Sequence, residues 1–391
     1  MLRDLERHNR IQERIMNCDE ILQRACQRFY GRGMPQDYFE AARLFRVSME
    51  KGNLEAIHWL GVSYDEGYGL QPDKSIAFDL YKQAAMKGFV DSMFSLAIAF
   101  KYGIGVVKNE VEAANWFQTA SERGHKYAIY NLACCYHHGE GVTQDMQEAA
   151  RLYQRASDLK VTEATYNLSL CYLLGTGVEK DSAKASSLLK MASRKGDIDA
   201  TVNLALSYKN GVGLPQNFEE SFALLEKAAA TGDTEAIYKI GLRYERGEGI
   251  TRDFQRAAEC YRLAMEQGNI GGMVFLGRLY ESGLGVPRDI SESIKLYKMS
   301  AEKQHPRGMY HLGRCYHRGV GIERNIDEAV RLYRLASERC EKRALYTLGV
   351  CYELGIGAQK DDYEAMSYFQ LAASFGHRQA RGKITNLSKE I

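Results

Sequence analysis

The chain has 391 residues, 45% of them apolar and 26% charged, a composition that excludes an intrinsically disordered protein. Its 52 Lys and Arg nearly balance 50 Asp and Glu, so no basic excess marks a nucleic-acid or general polyanion binder. Nine cysteines, an odd number with no pair recurring at fixed spacing, exclude a repeated disulfide staple and point to a reducing, cytoplasmic setting.

In chain order, residues 1–17 (MLRDLERHNRIQERIMN) are densely charged and lack the apolar core of a signal peptide. They are expected to form a capping helix that packs through Leu2, Leu5, Ile11 and Ile15. No later run is long and apolar enough for a bilayer-spanning helix, so direct membrane insertion is not expected. From residue 18 to 378 one unit recurs ten times with a period of 36. An aromatic column runs Tyr64, Phe100, Tyr136 and onward to Tyr352 without a slip, with Leu or Ile four residues before each. Two glycines follow at three and five residues, from Gly67 and Gly69 to Gly355 and Gly357.

Within a unit the spacing predicts helix, loop, helix. Ala56, Leu60 and Tyr64 lie along one face of a first helix. Gly67 and Gly69 end it, because glycine readily takes the left-handed conformation that closes a helix. A second helix starts at Asp73, and every equivalent position, from Asp37 to Asp361, is Asp or Asn, both good N-caps. In seven units Glu stands three residues later, as at Glu148 and Glu328, which predicts capping boxes and a structural use for these carboxylates. Small residues in the Ala77 and Ala84 columns let the two helices approach. No hairpin can bury its apolar face alone, so stability must come from stacking. Residues 379–391 read as the opening helix of an eleventh unit and a polar end cap, with Ala380 and Ile384 in register.

The pattern L-G-x-x-Y-x-x-G-x-G-[VIL]-x-x-[DN]-x-x-x-A, closing on A-[AS]-x-x-G, resembles the Sel1-like repeat, a relative of the tetratricopeptide repeat. It is well displayed by EAIYKIGLRYERGEGITRDFQRAAECYRLAMEQG at residues 235–268. Lys160, Gln304 and Cys340 depart from it by replacing the closing glycine. The resemblance implies an all-α, right-handed superhelical solenoid with a concave groove, and an adaptor or scaffold function. Cysteine-rich bacterial relatives carry a disulfide in every repeat and have been associated with β-lactam binding. This chain lacks that repeated pair, so a hydrolase of that kind gains no support.

Sites of chemistry are few. The ten G-x-G sequences follow a helix and precede an acidic cap, unlike a dinucleotide fingerprint, which follows a strand. Cys134 and His138 share a helix face without a second ligand pair, too few for zinc. Cys135, Cys171, Cys315 and Cys351 all precede the tyrosine column and suit packing. No nucleophile, base and acid stand out, so no catalytic residue, cofactor or metal is assigned.

A partner surface is better supported. First-helix positions outside the buried columns are expected to line the groove. The His58 column carries aromatic residues including Tyr310 and Tyr346, and the Val62 column becomes Arg278 and Arg314. With Arg307, His317, Arg318 and Arg343 these form a basic C-terminal end: from Ile270 onward 19 Lys and Arg face 14 Asp and Glu. Glu55, Asp65, Glu66 and Asp91 make the opposite end acidic. The expected partner is another protein, met through an acidic or phosphorylated segment, since Arg pairs bidentately with such groups. The alternatives are a self-assembling homo-oligomer and a bacterial effector delivered to a host, which differs in location and not in mechanism.

Overall fold

The computed structural model describes residues 16–388. Among these residues there are 21 helices and no strand. The chain divides into two compact units, Met1–Ala200 and Thr201–Ile391. The first unit contains α1 (Cys18–Tyr30), α2 (Tyr38–Glu50), α3 (Leu54–Glu66), α4 (Lys74–Met86), α5 (Val90–Tyr102), α6 (Glu110–Glu122), α7 (Lys126–His138), α8 (Met146–Asp158), α9 (Thr162–Leu174) and α10 (Ser182–Arg194). Helix α11 (Ile198–Asn210) opens at the division. The second unit continues with α12 (Phe218–Ala229), α13 (Thr234–Arg246), α14 (Phe254–Glu266), α15 (Ile270–Ser282) and α16 (Ile290–Glu302). It closes with α17 (Pro306–Arg318), α18 (Ile326–Glu338), α19 (Lys342–Leu354), α20 (Asp362–Ser374) and α21 (Arg378–Leu387). The expected N-terminal capping helix lies outside the described residues, apart from Met16 and Asn17. In α21 Ala380 and Leu387 are buried.

Each hairpin is fixed by its own polar groups. In all ten second helices the Asp or Asn cap accepts a backbone N–H two or three residues on, satisfying a donor the helix cannot. The cap's own N–H donates back to the first helix, Asp73 to the Tyr64 carbonyl at 2.9 Å and Asp361 to that of Tyr352 at 3.0 Å. That bond corrects the sequence reading, because it uses the N–H that a capping box needs. Four of the seven glutamates three residues on, Glu40, Glu148, Glu292 and Glu328, turn instead to a cation one turn away. Glu40 pairs with Arg43 at 2.8 Å, Glu148 with Arg151 at 2.6 Å and Glu328 with Arg331 at 2.7 Å. A reciprocal box does form on α1, between Asn17 and Glu20.

The two loop glycines have different tasks. Gly67, at φ 78°, ends its helix in the left-handed conformation, as expected. At Gly69 a Cβ atom would stand 2.2 Å from the Tyr38 carbonyl oxygen of the preceding repeat. Gly105 and Gly141 meet the carbonyls of Lys74 and Glu110 at 2.0 Å in the same way. The second glycine therefore seats each loop against the repeat before it.

Packing follows the columns. Ala77, Ala113, Ala149 and Ala257, with Ala84, Ala120, Ala156 and Ala264, are all buried to within 1%. The largest fully buried side chains come from one second-helix column, Phe45, Phe117, Tyr153, Tyr261, Tyr297, Tyr333 and Phe369. A Cβ at Gly61 would lie 2.7 Å from the Tyr81 ring of that column, which explains the small residue between Leu60 and Tyr64. The tyrosines that mark the period in the sequence are only half-buried. Their hydroxyls accept from cations on second helices, Arg46 to Tyr64 at 2.9 Å and Lys184 to Tyr172 at 2.6 Å.

Candidate partner-binding face

In the second unit the arginine column is tied to the carboxylates of the preceding repeat. Arg278 donates to Glu245 at 2.8 Å, and Tyr261 donates to the other oxygen of the same carboxylate at 2.7 Å. Arg314 and Tyr297 hold Glu281 in the same way. Both arginines are half-buried, so part of the charge that the sequence assigns to the groove is compensated within the fold. At the acidic end Asp65 is likewise engaged, by Lys74 at 2.7 Å and by the Tyr81 hydroxyl at 3.3 Å.

The aromatic column at His58 packs largely between repeats. Tyr346 stacks on His377, the residue before α21, with ring centroids 4.3 Å apart and planes at 16°. Phe94 stacks on His125 at 4.5 Å in the equivalent place. Tyr310 is half-buried beside His311 and Tyr333. His317 is half-buried near the Tyr333 ring, at 6.2 Å. Arg307, Arg318 and Arg343 are exposed.

Three of the sequence-assigned residues meet at one place. Arg278 of α15, Arg307 of α17 and Arg343 of α19 line a cavity of about 210 Å³. Arg246 of α13 and Lys342 of α19 join them, and Glu341 is the one carboxylate among the lining residues. Val274, Phe275 and His311, all buried, complete the wall. The guanidinium groups of Arg278 and Arg307 sit over the Phe275 ring, at 4.9 and 5.7 Å from its centroid. His311 is 2% exposed and stacked on Tyr297 at 5.0 Å and 17°, and its Nδ1 has no hydrogen-bond partner. Burial, and then Arg314, Arg278, Arg343 and Arg307, hold its imidazole well below the ordinary range, so it is neutral. Arg314, His317, Arg318, Tyr310 and Tyr346 do not line this cavity.

Sequence reasoning missed Arg246, Lys342, Phe275 and His311. One signal was present: the column of Trp59, Ser95, Asn131 and Asn167 is half-buried in the first unit, and in the second it holds Phe275 and His311, both buried, between Lys239 and Thr347. A second oversight is Arg243, which stands where other repeats place Cys135 or Cys315 and is 2% exposed. It donates to Ser221 Oγ at 3.0 Å and pairs with Glu248, which also takes Lys209 at 2.9 Å.

The remaining candidates behave as packing residues. Cys135, Cys315 and Cys351 are buried, and burial pushes their thiols up to about 11, away from thiolate reactivity. Tyr153 donates to Cys134 Sγ at 3.5 Å. Among the described residues no three His, Cys, Asp or Glu side chains converge on a point that could hold a metal.

Comparison with known proteins agrees with this architecture. The Sel1 repeat model matches ten times in succession, beginning with residues 24–53 and ending with 342–377. The chain belongs to the Sel1 repeat family. Among solved structures, a protective antigen present in uropathogenic Escherichia coli strains is 25% identical, with a TM-score of 0.68 over 98% of this chain and 90% of that one. A Sel1 repeat protein from Oxalobacter formigenes is 26% identical, with a TM-score of 0.57 over 62% of this chain and 96% of its own. Among curated proteins none matches significantly. As a Sel1 repeat protein the chain is an all-α solenoid of a kind that typically mediates protein–protein interaction. None of its described helices is long and apolar enough to cross a membrane.

Proposed function

We propose that this Sel1 repeat chain is a non-catalytic adaptor that holds a partner protein on the first-helix face of its second unit, through an acidic or phosphorylated segment. One observation carries the reading. Arg307, Arg318, Lys342 and Arg343 are exposed on first helices, and among the described residues none has a carboxylate within ion-pair distance. Arg278 and Arg314, by contrast, are spent on internal partners. Uncompensated charge beside a groove steers an oppositely charged partner and forms charge-assisted hydrogen bonds on contact.

Peptide selection on the full chain tests this. Acidic or phosphorylated sequences should be enriched, and Arg318→Glu with Arg343→Glu should remove the enrichment while leaving thermal melting unchanged. Enrichment indifferent to that reversal, or none above an inert protein, refutes the reading. Arg314 is left intact in the design, because its reversal would set a second carboxylate against Glu281.

A further inference from the structure

We infer that the cavity between α13, α15, α17 and α19 is a binding pocket for a phosphoryl dianion. This deepens the adaptor reading and rests on it for the source of the ligand. Five cationic side chains, Arg246, Arg278, Arg307, Lys342 and Arg343, line a space of about 210 Å³ beside a single carboxylate, Glu341. Two of them have compensation in the fold: Arg278 from Glu245, and Arg246 in part from Glu248 at 3.5 Å, a carboxylate it shares with Arg243 and Lys209. Arg307, Lys342 and Arg343 retain their charge, an excess of two over Glu341. Like charges gathered around one cavity repel each other, a cost that a doubly charged ligand removes and a lone carboxylate removes only in part.

The site is also held in shape. Phe275 carries Arg278 and Arg307 on one ring, and Glu245 fixes the outer nitrogen of Arg278, so two guanidinium forks are positioned before any ligand arrives. His311 lies in the wall with its Nδ1 unsatisfied, a buried polar atom that native interiors rarely leave unpaired. Guanidinium forks arrayed over an aromatic base form a recognition set for tetrahedral, multiply charged oxyanions. The column that supplies His311 and Phe275 is Trp59, Ser95, Asn131 and Asn167 in the first unit, so histidine beside phenylalanine at this place is particular to these two repeats.

Two sources can supply the group, a phosphorylated side chain of a partner or a free phosphate, and titration of the full chain separates them. The probes are inorganic phosphate, pyrophosphate, a phosphoserine peptide and its unphosphorylated counterpart, with sodium chloride at matched ionic strength as control. Phosphate-bearing probes should raise the melting temperature where chloride does not. Arg307→Gln with Arg343→Gln should weaken their binding roughly tenfold or more without lowering the melting temperature of the free chain. Both side chains are exposed, and neither belongs to an internal ion pair, so the variant should fold. Preference for the phosphopeptide over inorganic phosphate assigns the pocket to a modified partner, and equal or better binding of the inorganic ions assigns it to a free ligand. Stabilisation no greater than chloride gives, or binding unaltered by the double substitution, overturns the pocket. If the pocket fails while selected acidic peptides still bind, the adaptor reading stands without it. If no peptide binds either, both are refuted.

Discussion

At the scale of single residues, several side chains hold positions for which their chemistry is unfavourable. Lys160, Gln304 and Cys340 stand where other repeats have the closing glycine, and all three take positive φ, at 67°, 57° and 59°. A left-handed L residue costs about 1–2 kcal/mol, which exceeds the entropy glycine loses on folding. Lys160→Gly should therefore stabilise the chain by about 0.5–1 kcal/mol in urea denaturation, and Gly196→Ala, the converse change one repeat on, should destabilise it by a similar amount. His58 gives a prediction in pH. Burial holds its imidazole down at about 4, against the opposing pull of Asp91, while its Nδ1 lies 3.0 Å from Ser92 Oγ. As pH falls from about 6.5 towards 4 the unfolded chain takes up a proton that folded His58 refuses. Stability is thus complete above that window and falls within it by up to about 3 kcal/mol. His58→Phe, the residue at position 94 of the same column, should flatten this part of the stability-against-pH curve; an unchanged slope would show that His58 is not its source. The three departures from glycine were visible in the sequence, since a fixed period assigns each residue a conformation. The depressed titration of His58 was not, because it depends on the burial supplied by the next repeat.

At the scale of elements, the helix starts were legible and their energetics were only half so. The Asp and Asn caps fall as their column says, but an unseen backbone bond takes the cap's N–H, as between Asp289 and the Tyr280 carbonyl at 3.0 Å. The two halves of the supposed capping box therefore have unequal worth. Asp289→Ala removes an acceptor from an orphan helix donor and should cost about 1 kcal/mol. Glu328→Gln breaks only an exposed pair with Arg331 and should cost no more than about 0.5 kcal/mol. Equal losses in chemical denaturation would restore the box. The arginine column shows the same division between what pattern reveals and what it hides. Arg278 and Arg314 were legible as a column, yet their partners Glu245 and Glu281 lie 33 residues earlier, at a spacing no single repeat displays. Only placing consecutive first helices side by side reveals which cations are spoken for and which remain free.

At the scale of the molecule, the helices within each unit pack chiefly on those before and after them in sequence, and stability in such an array is a sum over neighbours. In the unit Thr201–Ile391 this makes folding divisible and ties the pocket to its integrity. Ala336 of α18 is fully buried and packs in one cluster with Leu332 and Ala344. Phenylalanine at that position overfills the contact and forces α18 from α19, at a cost of typically 1–3 kcal/mol or more. Because the strain is local, Ala336→Phe should strip hydrogen-exchange protection from α18 to α21 while α13 to α15 keep theirs. Lys342 and Arg343 would lose their placement with α19, whereas Arg246 and Arg278 would retain theirs. The partly unfolded variant should then show no stabilisation by phosphate, although half of the cavity wall survives. Loss of protection spread evenly over the unit would instead mean that its hairpins melt as one block, and that the neighbour-by-neighbour account of this solenoid is wrong.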